Sequence, residues 1–197
     1  MKLIRLESQD VYFNLATEEY LFQRLDHAGA YFLLWQNQAA VVIGSHQNTF
    51  EEINLAYATR NDLQVARRLS GGEAVYHDLG NLNYSVIVHS DEMRWEIKRM
   101  ADPVVKTLRA LGVDVLINPR NDLMIDDKKI SGCSQFIKGK RLLHHGTLLF
   151  DSDLYALSES LKTSDQHIES RSIKSVRSQV TNIQKYQPDL SIPVFIT

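Results

Sequence analysis

The sequence predicts an α/β (α+β) domain in which helices flank a mixed, largely antiparallel sheet. Two stretches, 14–25 and 91–111, repeat apolar residues at helical spacing. Short apolar runs separated by turn residues lie between and after them, and they are densest from 113 to 150. Strands joined by short turns pair antiparallel, so antiparallel pairing should dominate the sheet.

A strand and a helix open the chain. Residues 2–6 alternate polar and apolar side chains, as a half-buried strand does. Asn14 is the expected N-cap of the helix 14–25. Glu18 and Glu19 lie near its first turns, where the helix macrodipole favours carboxylates, so we expect both on the solvated face. Four apolar residues share the other face: Leu15, Leu21, Phe22 and Leu25.

Two strongly apolar runs follow, at 31–35 and 39–44, and the short Q-N-Q segment between them predicts a β-hairpin. Trp35 ends the first run. A tryptophan at a strand end packs in a core or forms the wall of an apolar pocket. Residues 45–49 are a polar loop, and 54–60 form a short helix.

The segment 65–85, V-A-R-R-L-S-G-G-E-A-V-Y-H-D-L-G-N-L-N-Y-S, is the most informative part of the chain. A Gly-Gly turn lets a ligand approach main-chain N–H groups, and Arg67 and Arg68 beside it suit carboxylate or phosphate oxygens. Turn and arginines together predict an anion site. The simpler alternative is a β-hairpin with two solvated arginines. Neither a P-loop nor a dinucleotide-binding motif is present.

The second half of the chain contains one long helix followed by strands. Met100, Val104, Leu108 and Leu111 are spaced for one buried face of the helix 91–111, Gly112 lies just past its end, and Pro103 should bend or split it. Strands occupy 83–88 and much of 113–150, with turns at D-D-K and K-G-K. Short helices are predicted at 153–161 and near Gln166. Residues 172–183 are a loop with a helical end.

Composition limits the classes of function. A chain of 197 residues with a net charge of −2 favours one globular domain and argues against nucleic-acid binding, which needs a basic surface. The single cysteine, Cys133, forms no intrachain disulfide. The sequence carries no signal peptide, no membrane span and no metal-ligand spacing, so we expect a cytoplasmic protein without membrane contact.

Seven segments occur in a defined order: N-L-A-T-E-E at 14–19, V-V-I-G at 41–44, R-R-L-S-G-G-E-A-V-Y-H-D-L-G-N at 67–81, N-D-L at 121–123, K-K-I-S-G at 128–132, H-H-G-T-L-L at 144–149 and K-S-V-R-S-Q-V-T-N at 174–182. In this order they resemble the catalytic domain of the lipoate-protein ligases. The resemblance runs from about residue 10 to residue 183 and implies the α/β fold shared with biotin ligases.

The resemblance implies a two-step reaction with MgATP and lipoate as substrates. Lipoate and ATP form lipoyl-adenylate and pyrophosphate, and the lipoyl group then passes to a lysine of a lipoyl carrier domain. The carriers implied are the E2 subunits of 2-oxoacid dehydrogenases and the glycine cleavage H protein. The resemblance also implies that residues 1–197 form one catalytic domain. This domain would be shortened at its C-terminus and would lack the small accessory domain of many relatives.

Site residues follow from the same resemblance. Arg68 and Lys129 match the catalytic positions, where two cations neutralise the carboxylate and the α-phosphate. Without the resemblance, Lys129 would be interpreted as a solvated surface lysine. The implied ATP-binding residues are Arg68, Glu73, Ala74, Val75, Tyr76, Asn121, Asp122 and Lys129. Residues 73–76 would offer strand-edge main-chain groups to the adenosine. Asp122 would hold Mg²⁺ or orient Lys129.

The implied lipoate-binding residues are Trp35, Ser70, Gly71, Gly72, His77, Lys129, His145, Gly146 and Thr147. Trp35 matches a family position on the wall of the lipoyl tunnel, and the Ser-Gly-Gly turn would form the floor of that tunnel. For His77 and His145, a structural role in orienting a loop and a role in proton transfer both stay open, because an amine that attacks a mixed anhydride needs proximity more than a base.

The chain departs from the family pattern at three places. Glu73 replaces a usual third glycine. Its carboxylate either turns to solvent or crowds the nucleotide, and a side chain there opposes a positive φ. Cys133 replaces another small residue. The chain also ends soon after V-T-N, so a separate accessory protein would be needed or the sequence is part of a longer product.

Two other functions remain open from the sequence. One is a lipoyl or octanoyl transferase that carries the acyl group on a cysteine, for which Cys133 is the available thiol. The other is a degenerate or partner-dependent domain that binds lipoate or a carrier without turnover, which Glu73 and the short C-terminus suggest. The N-D-L segment favours the ATP-dependent ligase over the transferase.

Overall fold

The computed structural model describes residues 1–24, 29–89, 97–161 and 178–196. Its strands are β1 (Lys2–Arg5), β2 (Ala30–Trp35), β3 (Ala40–Ile43), β4 (Gln64–Arg67), β5 (Val75–His77), β6 (Asn81–His89), β7 (Leu116–Ile117), β8 (Leu123–Ile125), β9 (Lys128–Ser131), β10 (Cys133–Lys138) and β11 (Arg141–Leu149). Its α-helices are α1 (Val11–Arg24), α2 (Thr49–Glu52), α3 (Leu55–Arg60), α4 (Ile97–Ala110), α5 (Leu154–Ser160) and α6 (Ile192–Phe195). The predicted α+β class is confirmed.

The strands form three sheets. The largest has five strands in the order β1-β2-β6-β11-β10, in which only β1 and β2 are parallel. A three-stranded sheet has the order β4-β3-β5, with β3 parallel to β4 and antiparallel to β5. The third, β7-β8-β9, is antiparallel. The prediction of mixed, largely antiparallel pairing is confirmed.

The predicted hairpin at 31–44 is wrong, because β2 and β3 belong to different sheets. β2 lies between β1 and β6, whereas β3 is the central strand of the three-stranded sheet. Every residue of β3 is buried, as expected for a central strand covered on both faces. The chain passes between the sheets at Asn37, a fully buried residue whose side chain bonds to Asn14 and His77.

The hairpin alternative for 65–85 is also wrong. β4 and β5 do not pair with each other, since β3 separates them. The Ser-Gly-Gly turn therefore crosses from one edge of the sheet to the other, over the end of β3. Main-chain bonds hold it there: Arg68 N donates to the Ile43 carbonyl at 3.1 Å, and Ser45 N donates to the Ser70 carbonyl at 2.9 Å.

Helix α1 begins earlier than predicted, and its buried face carries polar residues beside the predicted Phe22, with Leu15 and Leu21 packed against the same core. Asp10 caps it by accepting a hydrogen bond from Phe13 N at 2.7 Å, so Asn14 is not the N-cap. Asn14 is fully buried and donates to the Ser8 carbonyl at 2.8 Å. The predicted solvated position of Glu18 is wrong as well, since Glu18 is only 1% exposed. The buried residues of the helix are Val11, Asn14, Glu18 and Phe22. Leu25 lies outside the described residues.

The second half follows the prediction more closely. Helix α4 is continuous through Pro103, buries Val104 and Leu108, and ends before Gly112 at φ +84°. Residues 91–96 of the predicted helix lie outside the described part of the chain. Two-residue turns join β8 to β9 and β10 to β11, at D-D-K and K-G-K as predicted.

The C-terminal predictions are only partly covered. Asp153 caps α5 through a bond from Ala156 N at 2.9 Å. The predicted helix near Gln166 and residues 172–177 of the predicted loop lie outside the described residues. A 3₁₀ turn at Ile183–Lys185 provides the helical end.

Apolar layers cover both faces of the five-stranded sheet. The larger cluster joins the sheet to α4 and the C-terminal segment, and includes Tyr84, Leu108, Leu148, Phe150 and Ile183. A second cluster packs beneath α1 and includes Phe22, Leu33, Trp35, Ile87 and Leu143. Across the described ranges, no helix is both long and apolar enough to cross a membrane.

Gly44→Ala should displace the Ser-Gly-Gly turn. A Cβ atom at Gly44 would overlap the main-chain carbonyl of Gly72, and neither backbone can move without breaking the turn's hydrogen bonds. Overlap of this kind costs about 1–3 kcal/mol, so we expect the free energy of unfolding in urea to fall by about that amount. Gly71→Ala is the matched control, because only the His46 ring lies near its Cβ, at 3.8 Å. Equal stability of the two variants would contradict the packing described.

Candidate active site

A cavity of about 720 Å³ lies where β5, β9, β11 and α5 meet. Most residues predicted from the sequence line it: Trp35, Arg68, Gly72, Glu73, Ala74, Val75, Tyr76, His77, Asp122, Lys129, His145, Gly146 and Thr147. Ser70, Gly71 and Asn121 do not. Arg68 and Lys129, far apart in sequence, therefore face one common space that is large enough for a small organic ligand.

Lys129 is a partly buried side chain of β9 and not a solvated surface lysine. Its side chain is 17% exposed, and its Nζ lies 2.8 Å from Asp122 Oδ1 and 4.0 Å from Glu73 Oε2. The main chain is fixed too, since Lys129 N donates to the Gln179 carbonyl at 2.8 Å and Thr181 N donates to the Lys129 carbonyl at 3.0 Å. Asp122 thus orients the ammonium group towards the cavity.

Arg68 is built into the turn. Its Nη2 donates to the carbonyls of Gly71 and Glu73, both at 2.7 Å, while Nη1 donates to the Val42 carbonyl at 3.2 Å and Nε to Ser70 Oγ at 3.1 Å. Burial lowers the pKa of Arg68 to about 10, opposed by the charges of Glu18 and Glu73, so the side chain remains cationic at neutral pH. A fixed positive charge therefore lies beneath the turn.

Arg67 has a different role from its neighbour. It does not line the cavity. Its Nη1 donates to the carbonyls of Gly44 at 2.7 Å and Gln47 at 2.9 Å, and its Nη2 to Thr49 Oγ1 at 3.1 Å. Of the two arginines predicted beside the turn, Arg67 holds the preceding loop and Arg68 lies at the cavity.

The Glu73 side chain lies in the cavity wall. The positive φ of the turn, +90°, is at Gly72, so the position of Glu73 does not require glycine. Its Oε1 accepts a bond from Arg120 Nη2 at 2.6 Å, and the side chain is 24% exposed. The carboxylate does not turn away to bulk solvent. It is held by a cation that the sequence analysis had not singled out.

A chain of buried hydrogen bonds joins helix α1 to the turn. Glu18 accepts from Ser85 Oγ at 2.5 Å and from His145 Nδ1 at 3.0 Å. The other ring nitrogen, Nε2, lies 2.6 Å from Ser70 Oγ, within hydrogen-bond distance. Arg68 Nε donates to the same hydroxyl. His145 therefore has both ring nitrogens occupied and orients the turn.

His77 offers a buried donor to the cavity. Asn37 Nδ2 donates to His77 Nδ1 at 2.9 Å, which leaves the proton on Nε2. Within the described ranges, Nε2 has no hydrogen-bond partner. Burial lowers the pKa of His77 to about 3, with Arg68 and His145 acting in the same direction, so the ring is neutral. The neutral ring therefore lies at the cavity wall with its Nε2–H buried.

Cys133 lines the cavity with an unreactive thiol. Burial raises its pKa to about 11, with a contribution from Asp122, and Lys129 only partly opposes the shift. Thiol chemistry needs the thiolate, which is scarce at neutral pH with this pKa. The Sγ atom lies 3.4 Å from the Asn121 carbonyl. The environment thus opposes the nucleophile required by the transferase alternative.

The residues around Asp122 do not fit a preformed Mg²⁺ site. Its Oδ1 pairs with Lys129, and its Oδ2 accepts from Asn118 Nδ2 at 3.1 Å. Among the residues described, no group of three histidine, cysteine or carboxylate side chains could hold a metal ion. Asn121 adopts a left-handed conformation, with φ of 65°, in the adjoining turn. Asp122 was predicted either to hold Mg²⁺ or to orient Lys129, and its contacts correspond to the second role.

Several residues of the site were missed by sequence reasoning, chiefly Glu18, Asn37, Asn83 and Arg120. A signal existed for Glu18, because it lies four residues before the buried Phe22 and seven after the buried Val11, on one helix face. Asn83 alternates with Ser85 along β6 and lines the cavity. For Asn37 and Arg120 the sequence holds no comparable signal, because their partners are distant in sequence.

Comparison with known proteins agrees with this geometry. Residues 10–197 match the lipoyl protein ligase A/B catalytic domain. The chain belongs to this family. Lipoate-protein ligase LplJ of Bacillus subtilis is 46% identical over 177 residues, which cover 89% of this chain and 54% of the relative. Lipoate-protein ligase 1 of Staphylococcus aureus is 41% identical over the same shares. The chain thus spans about half the length of these relatives.

Solved structures of lipoate-protein ligases share the fold of this catalytic domain. The putative lipoate protein ligase Ta0514 of Thermoplasma acidophilum, solved with bound lipoic acid, has a TM-score of 0.83 and 31% identity over 99% of this chain and 80% of its own. A lipoate-protein ligase A bound with ATP has a TM-score of 0.84 and 30% identity over the same shares. A bipartite T. acidophilum ligase, studied with its E2 lipoyl domain, has a TM-score of 0.85 and 30% identity over 99% of this chain and 78% of its own.

Glu18 and Glu19 should differ sharply in their effect on the stability of this ligase-family domain. Glu18→Ala leaves the buried donors of Ser85 and His145 unsatisfied, which costs about 1–3 kcal/mol for each lost group. We expect a loss of about 2–5 kcal/mol in the free energy of unfolding measured with urea. Glu19→Ala is the matched control, since within the described ranges the Glu19 side chain bonds only to the exposed Gln23 side chain, at 2.7 Å, and it should cost under about 1 kcal/mol. Similar losses for both would disprove the network.

Stability should fall as pH falls from about 7 to 5, because His77 and His144 are buried and neutral. Burial lowers the pKa of each to about 3, whereas an unfolded histidine has a pKa of about 6.5. Between these values the unfolded chain binds more protons, so acid favours unfolding, by about 2 kcal/mol for each histidine at pH 5.

Urea unfolding at each pH measures this dependence. His144→Gln should reduce the slope by about half, whereas His46→Gln, at an exposed position, should leave it unchanged. A free energy of unfolding that is constant over this pH interval would contradict the neutral burial of both rings.

Proposed function

We propose that this domain activates lipoate with ATP and transfers the lipoyl group to a lysine of a lipoyl carrier domain. In the first step a lipoate carboxylate oxygen attacks the α-phosphorus of ATP, and the bond to the bridging oxygen breaks to release pyrophosphate. In the second step the lysine amine attacks the lipoyl carbonyl, AMP leaves, and the amine loses a proton. The observation that carries the proposal is the position of Arg68 and Lys129 on one cavity.

Lys129 is the proposed electrostatic catalyst of both steps. Its ammonium group is fixed by Asp122 at 2.8 Å and points into the cavity. From there one point charge contacts the acyl carbonyl and an α-phosphate oxygen together, where negative charge develops in each transition state. Because Asp122 sets its orientation before a ligand binds, little reorganisation is needed during the reaction.

Arg68 is proposed to act through its field and through the turn. Its donors are committed mainly to main-chain carbonyls, so it keeps residues 71–73 in the shape that a phosphate group approaches. The positive charge beneath the turn favours an anion above it. Arg68 would also contact the α-phosphate through its remaining Nη1 proton, in agreement with the catalytic position that the family resemblance implies.

The nucleotide and lipoyl groups are assigned to different walls of the cavity. β5 is an edge strand, so Val75 and its neighbours can offer main-chain groups to adenine. Leu154, Leu157 and Leu161 from α5 and its C-terminal end provide an apolar surface for the base. Trp35, His145, Gly146 and Thr147 would line the lipoyl tunnel, with His77 Nε2 as a donor to a ligand oxygen.

We also propose the carrier proteins, the metal ion and the location of the domain. The carriers would be E2 lipoyl domains, as studied with the T. acidophilum relative, and H proteins of glycine cleavage. Mg²⁺ would enter as the counter-ion of ATP, and the cytoplasm would be the location. Because the chain spans about half of its curated relatives, adenylation and transfer require separate assays.

Lys129→Met should greatly slow lipoyl-adenylate formation. We expect the rate of lipoate-dependent pyrophosphate exchange to fall about 10²–10³-fold, as on loss of a single electrostatic catalyst. Lys128→Met is the matched control at the adjacent position and should retain activity, because Lys128 does not line the cavity. Mass spectrometry of a lipoyl domain after incubation with MgATP and lipoate follows the transfer step.

Cys133→Ser separates the ligase from the cysteine transferase. The ligase requires no thiol, so ATP-dependent lipoylation should continue in this variant. Loss of acyl transfer only in Cys133→Ser, together with full activity of Lys129→Met, would reverse the assignment. Lipoate binding without pyrophosphate exchange in the wild type would instead identify a non-catalytic binding domain.

A further inference from the structure

One acidic residue contacts all the arginine and lysine side chains that line the cavity in the described part of the chain. Glu73 bonds to Arg120 through Oε1 at 2.6 Å, and its Oε2 lies 4.0 Å from Lys129 Nζ. Its main-chain carbonyl accepts a bond from Arg68 Nη2 at 2.7 Å. The cations available to a phosphate group are therefore already in contact with a carboxylate or carbonyl oxygen of Glu73.

Arg120 differs from the other two cations in its freedom to move. Arg68 is buried and Lys129 is 17% exposed, whereas the Arg120 side chain is 49% exposed. Its main chain is nevertheless anchored, because Arg120 N donates to Asn118 Oδ1 at 2.8 Å. A long guanidinium side chain on an anchored turn can exchange one anionic partner for another at little cost in conformational energy.

Arg120 also lies where the cavity continues beyond Lys129. A second space of about 360 Å³ adjoins the first and shares Arg120, Asp122, Lys129 and Ser178 with it. With Lys129 at the reacting α-phosphate, a chain of further phosphate groups would extend into this second space. Arg120 and Lys129 both line the two spaces, and Arg120 is the more exposed of the two cations.

We propose that Arg120 binds the β- and γ-phosphates of ATP and that Glu73, its present counter-ion, is displaced from it when ATP binds. The inference rests on the proposed function of the same cavity. The guanidinium group donates to carboxylate and phosphate oxygens in the same bidentate geometry, so it can exchange one anion for the other directly. The carboxylate then remains near the phosphates and repels them, so Glu73 weakens ATP binding.

The charge balance supports a competitive role for Glu73. Arg68, Arg120 and Lys129 face three carboxylates along the cavity, those of Glu52, Glu73 and Asp122. Asp122 is fixed between Lys129 and Asn118. Glu73 is bonded to the exposed Arg120, so its contact is the more easily opened of the two.

Equilibrium dialysis with labelled ATP tests the proposal on the wild type, Glu73→Gln, Arg120→Gln and the double variant. Glu73→Gln should bind ATP about five- to tenfold more tightly, because one negative charge is removed from the phosphate side. Arg120→Gln should bind ATP about tenfold more weakly, yet bind AMP within about twofold of the wild type, since AMP lacks the outer phosphates. In the double variant, the gain from Glu73→Gln should shrink, because its counter-ion is absent.

Glu7→Gln and Arg60→Gln are the charge-matched controls, both at exposed positions away from the cavity, and should leave ATP affinity unchanged. Thermal unfolding confirms that all variants are folded. Unchanged or weaker ATP binding by Glu73→Gln would overturn the proposal. So would an Arg120→Gln variant that loses AMP and ATP affinity equally, because this would mean that Arg120 shapes the site without contacting the outer phosphates.

Lipoate-dependent pyrophosphate exchange by the wild type separates this inference from the proposed function. If exchange occurs and the two variants bind ATP as the wild type does, the role of Glu73 and Arg120 is wrong while the ligase function stands. If the binding pattern is as expected and no exchange occurs, the nucleotide site is supported and the ligase function is wrong. If neither the wild type nor any of the variants binds ATP, including Glu73→Gln, both the inference and the proposed ATP-dependent function are wrong.

Discussion

The hydrogen-bond chain from Glu18 through His145 and Ser70 to Arg68 is the constraint on which the cavity depends. It joins α1, β11 and the turn between β4 and β5, which belong to different layers of the fold. A buried carboxylate is tolerated here because its oxygens accept bonds from Ser85 and His145. A satisfied buried network rigidifies its surroundings, so the turn keeps one shape before any ligand arrives.

The two charged groups proposed to meet the α-phosphate are held in contrasting ways. Arg68 is fixed by main-chain carbonyls and Lys129 by a carboxylate, so neither requires ordering when a ligand binds. Fixed charges in a partly buried site stabilise a transition state more than mobile ones, because no solvent or side chain must reorganise. Arg120 is exposed and paired, which suits a residue that contacts a leaving group only transiently.

Local chemistry predicted the parts of the fold that depend on near neighbours. The D-D-K and K-G-K turns, the short helix predicted at 153–161 and Gly112 after α4 all depend on neighbouring residues, and the structure contains each of them. The hairpin at 31–44 failed because strand partners are distant in sequence: β3 pairs with β4 and β5, and β2 with β1 and β6. The prediction of Asn14 as the N-cap was wrong because its side-chain amide donates to Asn37 Oδ1, where the chain passes between the sheets.

In the site, too, partners that are distant in sequence were the ones that could not be predicted. The family resemblance assigned Trp35, His77, Lys129 and His145 to one ligand site, and all four line the cavity. The spacing of Glu18 to Val11 and Phe22 indicates its burial, but its partner His145, 127 positions away, could not be predicted. Glu73 shows why residue type alone is insufficient: a carboxylate beside the turn predicts repulsion of a phosphate, and the sequence does not show that Arg120, 47 positions away, is its counter-ion. Such a charge hinders a ligand only if the ligand takes over its counter-ion. The folded structure identifies that counter-ion, and the sequence does not.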